Sequence, residues 1–127
     1  MIADTSFVID LLKGKKEALQ KKEKIPPSEG VSTTTITIFE LWSSARYMTP
    51  SEEESIKEIT EETTIETLTP ESAKRAGIIC SDLKKKGQEI DNEDCLIAAI
   101  CLEKNKTLLT RNKEHFTRIP GLKVEWY

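Results

Sequence analysis

Three acidic residues in this sequence, Asp4, Glu40 and Asp94, stand where an apolar segment gives way to a segment with helical periodicity. If strands and helices alternate, such junctions meet at one edge of a parallel sheet, so residues distant in sequence share a pocket. Two carboxylates about 4 Å apart repel each other by roughly 4 kcal/mol at an effective dielectric constant near 20. Such a cluster either takes up protons or binds a cation. Without paired His or Cys ligands, an all-oxygen site favours Mg²⁺ or Mn²⁺.

Each of the three acids also has a simpler structural interpretation. Asp4 precedes Thr5 and Ser6 in a position suited to helix capping, and Asp94 begins a predicted helix whose dipole favours a carboxylate. A helical wheel places Glu40 roughly opposite an apolar stripe, which indicates that it is not in the core. Whether Glu40 faces a pocket or solvent stays open. Together, the three acids predict metal-assisted hydrolysis of a phosphodiester, because such ions activate water and stabilise charge on the phosphate.

Length and composition favour a single domain over residues 1–127. Hydrophobic residues make up 37% of the chain and charged residues 32%, which is ordinary for a folded protein. No apolar stretch approaches the length of a membrane span, and the first predicted strand leaves no room for a signal peptide. We therefore expect a cytoplasmic protein with no membrane association. We expect Cys80, Cys95 and Cys101 to be buried reduced thiols, since they show no CxxC spacing.

The net charge of −3 does not indicate a nucleic-acid-binding protein, but the charges are grouped. Solvated helix faces are the simplest interpretation of such groups, and an alternative is that the basic ones guide a polyanion toward an acidic pocket. The basic groups are Lys13 to Lys24, Lys84 to Lys86, and Arg111 with Lys113 and Arg118, and the acidic block runs from Glu52 to Glu62.

Hydrophobic periodicity predicts alternating strands and helices, which implies a mostly parallel central sheet with helices on both faces. Trp126 and Tyr127 are expected to pack against an edge strand. The predicted strands are Ile2–Asp4, Val31–Thr35, Thr64–Leu68, Thr107–Leu109 and Val124–Trp126. The predicted helices are Ser6–Gln20 with a possible break at Gly14, Ile38–Met48, Ser51–Glu62, Pro70–Lys86 and Asp94–Lys104.

The order and spacing of several segments resemble the PIN domain family, and within it the VapC-type ribonuclease toxins of toxin-antitoxin modules. The resemblance spans nearly the whole chain. It is carried by the segments Asp4 to Leu12, Thr35 to Leu41, Asp94 to Ala99, Leu109 to Asn112 with Phe116, and Ile119 to Val124. It implies a three-layer α/β/α sandwich, usually assembled as a homodimer.

The resemblance also implies roles for individual residues. Asp4, Glu40 and Asp94 correspond to the metal-binding carboxylates of the family. Ser6 and Thr110 are expected to orient them, and Asn112 to border the site. Basic residues including Arg111 and Lys113 are expected to meet the RNA backbone. A cognate antitoxin of this family places an extended segment in the acidic groove.

One departure from the family pattern concerns a fourth acidic residue, which many relatives carry where Asn112 or His115 stands here. Glu114 is displaced by one position. An amide ligates Mg²⁺ without supplying charge, so whether one or two metals bind stays open. Asp91 is a candidate replacement, although a solvated loop position is the favoured interpretation. We interpret His115 as an isolated surface residue rather than a proton donor.

We therefore predict an Mg²⁺- or Mn²⁺-dependent endoribonuclease, acting as a toxin held inactive by an antitoxin. The predicted nucleophile is a metal-activated water, leaving 5′-phosphate and 3′-hydroxyl ends. The alternative is a non-catalytic PIN-fold module that binds RNA or a partner protein through a weakened metal site. A receiver-like phosphoryl-transfer domain is a third reading, but Thr67 to Pro70 offers no phosphoacceptor Asp after the third strand.

Overall fold

Five short strands form one parallel sheet in the centre of the molecule. The structure is a computed structural model that describes all residues from Met1 to Tyr127. The strand order is β3-β2-β1-β4-β5, which places the first strand in the middle of the sheet. The strands are β1 (Ile2–Ala3), β2 (Ser32–Thr34), β3 (Thr64–Glu66), β4 (Leu108–Thr110) and β5 (Val124–Trp126). The prediction of a mostly parallel central sheet is confirmed.

Seven α-helices and one short 3₁₀ helix, Ala45–Tyr47, cover the sheet. No helix is both long enough and apolar enough to cross a membrane. The α-helices are α1 (Thr5–Leu12), α2 (Lys16–Lys24), α3 (Thr35–Trp42), α4 (Pro50–Glu62), α5 (Pro70–Lys85), α6 (Asn92–Lys104) and α7 (Lys113–Phe116).

Two hydrophobic cores lie on opposite faces of the sheet. Successive strand residues point to opposite faces, so Ile2 and Leu108 enter one core while Ala3 and Leu109 enter the other. The first core is built with α5 and α6, and the second with α1 and α4. This arrangement confirms the three-layer α/β/α sandwich.

The predicted helix Ser6–Gln20 forms two helices, and the possible break predicted at Gly14 is confirmed. Helix α1 ends at Leu12 and α2 begins at Lys16. Between them Gly14 has φ +64°, a left-handed conformation that glycine adopts without a Cβ clash. The break turns the lysine-rich α2 away from the line of α1.

The second strand is shorter than predicted, and the helix after it begins earlier. The Thr34 hydroxyl accepts a hydrogen bond from the Thr37 backbone N–H at 3.1 Å, so Thr34 caps α3 and Thr35 already belongs to the helix. Helix α3 ends at Trp42 rather than near Met48. Helical periodicity did not resolve this end, because Ala45 and Met48 continue the apolar spacing although Ala45 is exposed in a 3₁₀ helix and Met48 follows it.

The remaining elements agree with prediction, with small shifts at their ends. Capping boxes begin both α4 and α5, and in each a Thr precedes the helix and a Pro opens it. Helix α7 was not predicted, because its four residues are too few for a periodic pattern. Cys95 and Cys101 are buried and unpaired, as predicted, whereas Cys80 is unpaired and only partly buried.

Candidate active site

Asp4 directly follows β1, at the edge of the sheet where the parallel strands end, and only 2% of its surface is exposed. Its Oδ1 accepts hydrogen bonds from the Ser6 hydroxyl at 2.7 Å and the Phe7 backbone N–H at 3.0 Å. Its Oδ2 accepts one from the Thr110 hydroxyl at 2.6 Å. The bond from Phe7 makes Asp4 the N-cap of α1, so capping and a place in the pocket are both properties of this residue.

Glu40 lies half-buried on α3, which packs against both α1 and α6. The Thr5 hydroxyl donates a hydrogen bond to its Oε2, and Thr5 also contacts Thr37. Sequence reasoning missed Thr5, because a hydroxyl beside a helix cap gives no signal of a partner on another helix. Glu40 therefore faces the junction between helices rather than open solvent.

Asp94 lies in the first turn of α6 and is partly buried. Its Oδ2 is 3.0 Å from Nδ1 of His115, whose side chain is 41% exposed. The prediction that His115 is an isolated surface residue is wrong, because the short helix α7 turns its ring onto Asp94. The signal that would have found it is the position itself, where many relatives carry an acid.

The three carboxylates influence one another electrostatically. Burial raises the pKa of Asp4, and its hydrogen bonds only partly offset that rise. Burial is also the largest cause of the raised pKa of Glu40; the hydrogen bond from Thr5 opposes it, and the negative charges of Asp94, Glu93 and Asp4 raise the pKa further. Burial also raises the pKa of Asp94, His115 opposes that rise, and the charges of Asp91 and Asp4 raise the pKa further. The site thus concentrates negative charge that the protein only partly offsets, which favours protons or a cation.

The residues considered for a fourth acidic position lie at the margin of the site. Asn112 is exposed, and its backbone N–H donates to the Thr110 hydroxyl at 2.9 Å. Asp91 is exposed just before α6, and its charge contributes to the raised pKa of Asp94. Glu114 is exposed on α7. None of these three lies buried beside Asp4.

Arg111 and Lys113 already have partners within the chain. Arg111 Nη1 lies 2.7 Å and 3.0 Å from the two carboxylate oxygens of Asp10. The ammonium of Lys113 lies 3.3 Å from the ring centroid of Trp126, in a cation–π contact. Their predicted contacts to RNA stay predictions.

Asp10 is a buried acidic residue that sequence reasoning did not single out. Only 2% of its surface is exposed, and it receives Lys15 Nζ at 2.9 Å and the Tyr127 hydroxyl at 2.9 Å in addition to Arg111. The Tyr127 ring packs edge-on against Phe7 of α1 with centroids 5.0 Å apart, and Trp126 is 51% exposed. Tyr127 therefore packs against a helix rather than against an edge strand as predicted. The partners of Asp10 are too far away in sequence for a local pattern to show them.

As the side chains stand, no three His, Cys, Asp or Glu residues are close enough together to hold one metal ion. Thr5 and His115 instead hold carboxylate oxygens of Glu40 and Asp94. Beside Glu40 a groove of about 400 Å³ runs between α1, α3 and α4. Apolar residues such as Ile9, Leu12, Leu41 and Met48 line it.

Comparison with known proteins agrees with this geometry. Ribonuclease VapC1 of Haemophilus influenzae strain R2866 is 29% identical over 123 residues, covering 94% of this chain and 91% of that protein. Ribonuclease VapC2 of Rickettsia felis is 43% identical over 49 residues, a match that spans 39% of this chain and 37% of the relative. The solved structure of VapBC-1 from nontypeable H. influenzae superposes with a TM-score of 0.84 at 26% identity, covering 98% of this chain and 95% of that chain.

Residues 1–122 match the PIN domain. That match covers four of the five strands of the sheet, β1 to β4, and every acidic residue of the site. The chain belongs to the PIN domain family.

Proposed function

We propose that this protein is an Mg²⁺- or Mn²⁺-dependent endoribonuclease and the toxin of a toxin-antitoxin pair. The observation that carries the proposal is the buried Asp4 at the strand edge, whose pKa is raised and which shares its negative field with Glu40 and Asp94. Membership of the PIN domain family and the ribonuclease name of a relative aligned over 94% of the chain support it.

The donor set suits a hard divalent cation. Asp4, Glu40 and Asp94 offer only carboxylate oxygens. Burial raises all three pKa values, and negative neighbours raise those of Glu40 and Asp94 further. A cation between the three carboxylates would relieve that repulsion. When bound, Mg²⁺ or Mn²⁺ supplies Lewis acidity toward the phosphodiester and toward water. For all three acids to bind one ion, Glu40 and Asp94 turn away from Thr5 and His115.

The surrounding residues hold the carboxylates in place. The hydroxyls of Ser6 and Thr110 and the Phe7 backbone N–H occupy three acceptor sites of Asp4, which leaves one on Oδ2 for a ligand. In this proposal Thr5 and His115 hold Glu40 and Asp94 only in the metal-free protein, whereas Ser6 and Thr110 stay on Asp4 when the ion binds. Such outer partners fix the geometry of metal ligands and tune their basicity.

RNA is the proposed substrate, and basic residues beside the site are its proposed contacts. Lys113 is exposed over Trp126, and the side chain of Arg111 is 49% exposed beside Asp10. Either cation would act on phosphate rather than on a base edge, so neither specifies a target sequence. The exposed face of Trp126 adds apolar surface at this margin.

An antitoxin is the proposed protein partner. The apolar groove beside Glu40 suits an extended segment, and a basic side chain of that segment would complement the acidic site. The VapB-VapC composition of the H. influenzae VapBC-1 structure supports this proposal. A homodimer is proposed as well; Phe39 is 61% exposed and would be covered in such an assembly. Analytical ultracentrifugation tests the dimer.

The decisive experiment is RNA cleavage by the purified chain, freed of antitoxin. Total cellular RNA is incubated with Mg²⁺ or Mn²⁺, with chelator, and with the Asp4→Asn variant. We expect cleavage only by wild type with metal, and a loss in Asp4→Asn of more than about 100-fold, because even outer-shell changes at metal sites cost about 10- to 100-fold. Asp82→Asn, an exposed acid on α5, is the matched control and should cleave normally.

The result that contradicts the proposal is cleavage that persists in chelator or is equal in the Asp4→Asn variant. RNA binding without cleavage would favour the non-catalytic PIN-fold module. The non-acidic Asn112 and the contact of His115 with Asp94 are the observations that favour that alternative. The receiver-like reading is wrong, because the chain belongs to the PIN domain family.

A further inference from the structure

Arg111 is held at both of its ends. Its backbone N–H donates a hydrogen bond to the Ser6 hydroxyl at 3.1 Å, and Ser6 in turn donates to Asp4. Its guanidinium contacts both oxygens of Asp10 through Nη1. One residue therefore connects the immediate support of Asp4 to a second buried carboxylate farther along α1.

Asp10, which holds the side chain of Arg111, is itself held by several partners. Its carboxylate is 97% buried and receives two cations and one phenol, from Lys15, Arg111 and Tyr127. Burial alone would raise the pKa of Asp10, but the hydrogen bonds of Lys15 and Tyr127 and the charge of Arg111 outweigh it and lower the pKa. The ionised carboxylate thus binds the start of α2, the segment after β4 and the carboxyl terminus together.

The segment after β4 carries the other support of Asp4. Thr110 donates to Asp4 Oδ2, and the Asn112 backbone N–H donates to the Thr110 hydroxyl. The Ser6 hydroxyl accepts a hydrogen bond from the Arg111 backbone N–H. Both side-chain donors to Asp4 therefore contact the same short segment.

We propose that Asp10 is a positioning residue that acts through Arg111 to hold the Thr110–Asn112 segment against α1, and so keeps the hydroxyls of Ser6 and Thr110 on Asp4. The inference deepens the proposed function, since it takes Asp4 as a metal ligand. It also assigns Arg111 chiefly to this clamp rather than to a phosphate, because its charge is already balanced by Asp10. Contact with RNA then depends on Lys113 more than on Arg111.

The first test is Mn²⁺ affinity, measured by titration calorimetry on the full chain. Asp10→Asn keeps the size of the side chain, and Arg111→Ala removes the link; each should weaken Mn²⁺ binding about tenfold, the lower end for outer partners of metal sites. The double variant should be no weaker than Arg111→Ala, because residues acting through one contact are not additive. A purely structural role of Asp10 would instead give additive losses, and that result would overturn the inference.

Glu125→Gln is the matched control. Glu125 on β5 forms an ion pair with Lys21 of α2, so it ties the carboxyl-terminal strand to a helix without touching Arg111. Its Mn²⁺ affinity should equal that of wild type. An equal loss in Glu125→Gln and Asp10→Asn would show that loosening β5 is sufficient, which contradicts a specific role of Asp10.

A second test needs no metal. Amide hydrogen exchange followed by NMR should be faster at Arg111 in Asp10→Asn than in wild type, and unchanged there in Glu125→Gln. If wild type binds no Mn²⁺, the proposed metal site fails, and this exchange measurement then decides the inference separately. Unchanged protection of Arg111 overturns it.

A third measurement separates the clamp from a phosphate contact. Binding of a labelled mixed-sequence single-stranded RNA in chelator should be nearly the same for wild type and Asp10→Asn. If Arg111→Ala instead weakens RNA binding and lowers its salt dependence while Mn²⁺ affinity is unchanged, Arg111 is a phosphate contact and the inference is wrong. Circular dichroism confirms that each variant is folded.

Discussion

Two aspartates stand near opposite ends of α1, and each has only 2% of its surface exposed. Asp4 is held by neutral hydroxyls and a backbone N–H, with two further carboxylates nearby. Asp10 is held by Lys15, Arg111 and the Tyr127 hydroxyl. Burial acts on both in the same direction, yet the pKa of Asp4 is raised and that of Asp10 is lowered.

The difference shows that the charge of the neighbours, rather than burial, separates the pKa of the proposed metal ligand Asp4 from that of Asp10. The negative charge of Asp10 is compensated, since its partners supply positive charge. Asp4 has hydrogen bonds that fix its position but no cation, and Glu40 and Asp94 add to the negative field. A fixed but uncompensated carboxylate is the state expected of a metal ligand before its metal binds.

Adding a divalent cation should have the largest effect on stability, because Asp4 has no cationic partner within the chain. Mn²⁺ at about 100 times its dissociation constant should stabilise the folded protein by about 2.7 kcal/mol, because it binds the folded state alone. Urea unfolding with and without Mn²⁺ measures this difference. The Asp4→Asn variant should lose most of the stabilisation and Glu125→Gln should keep it. An equal gain in Asp4→Asn would place the ion elsewhere.

Removing the carboxylate of Asp10 should lower the stability of the folded protein. Asp10→Ala should destabilise the protein by about 2 kcal/mol at pH 7, less than the roughly 3 to 5 kcal/mol for breaking a fully buried pair, since Lys15 and Arg111 are about half exposed. Because the pKa of Asp10 is lowered on folding, its contribution exists above its ordinary value of 3.8 and is lost as the pH falls through the folded pKa.

Urea unfolding of wild type and Asp10→Ala at a series of pH values checks both the size and the sign. The two unfolding free energies should converge as the solution becomes acidic. A difference that stays constant down to acidic pH would mean that Asp10 contributes by packing rather than by charge. Asp82→Ala, at an exposed position, is the control and should match wild type.

Much of the Asp4 region was predictable because its signals are local or topological. Apolar runs followed by helical periodicity located the strand ends, and parallel strands bring those ends to one edge. The α/β order, the parallel sheet and the position of Asp4 at that edge follow from such patterns. Helix ends were less certain: capping by Thr34 extended α3 backward into the predicted strand, and Gly14 divided the first helix.

The Asp10 region was not predictable in the same way. Asp10 reads as an ordinary polar position of an amphipathic helix, and its burial depends on Arg111 and Tyr127, more than 100 positions away. Likewise, His115 contacts Asp94 only because the short α7 follows β4. Side-chain partners between distant segments are set by tertiary packing, which hydrophobic periodicity in one sequence does not report.

Substitution of Glu40, whose charge adds to the negative field around Asp4, should have a smaller effect on stability. Glu40→Gln should stabilise the metal-free protein by about 1 kcal/mol at neutral pH, because it removes one charge from a group of mutually repelling carboxylates. A gain of this size is common for single stabilising substitutions. The pKa of Glu40 is raised on folding, so wild type keeps its full stability below the ordinary value of 4.5 and loses part of it as the pH rises through the folded pKa.

Unfolding free energies of wild type and Glu40→Gln at acidic and neutral pH therefore test the sign. The two proteins should be similar at acidic pH and diverge on the neutral side, with the variant more stable. A destabilised variant at neutral pH would show that the hydrogen bond from Thr5 outweighs the repulsion. Thr5→Val removes that donor, so its free energy of unfolding measures the contribution of this hydrogen bond.

The smallest expected effect comes from the phenol at the carboxyl terminus. Tyr127→Phe removes the hydroxyl that donates to Asp10 at 2.9 Å but keeps the ring that packs against Phe7. The cost should be about 0.5 to 1 kcal/mol, the usual net value of one hydrogen bond, because Lys15 and Arg111 still neutralise the carboxylate. Urea unfolding measures it, and Mn²⁺ affinity should change less than in Asp10→Asn. If Tyr127→Phe lowered the free energy of unfolding as much as Asp10→Ala, the ionised Asp10 would depend on burial by the terminal strand rather than on Lys15 and Arg111. Burial, and not the charge of the neighbours, would then explain the difference between Asp10 and Asp4.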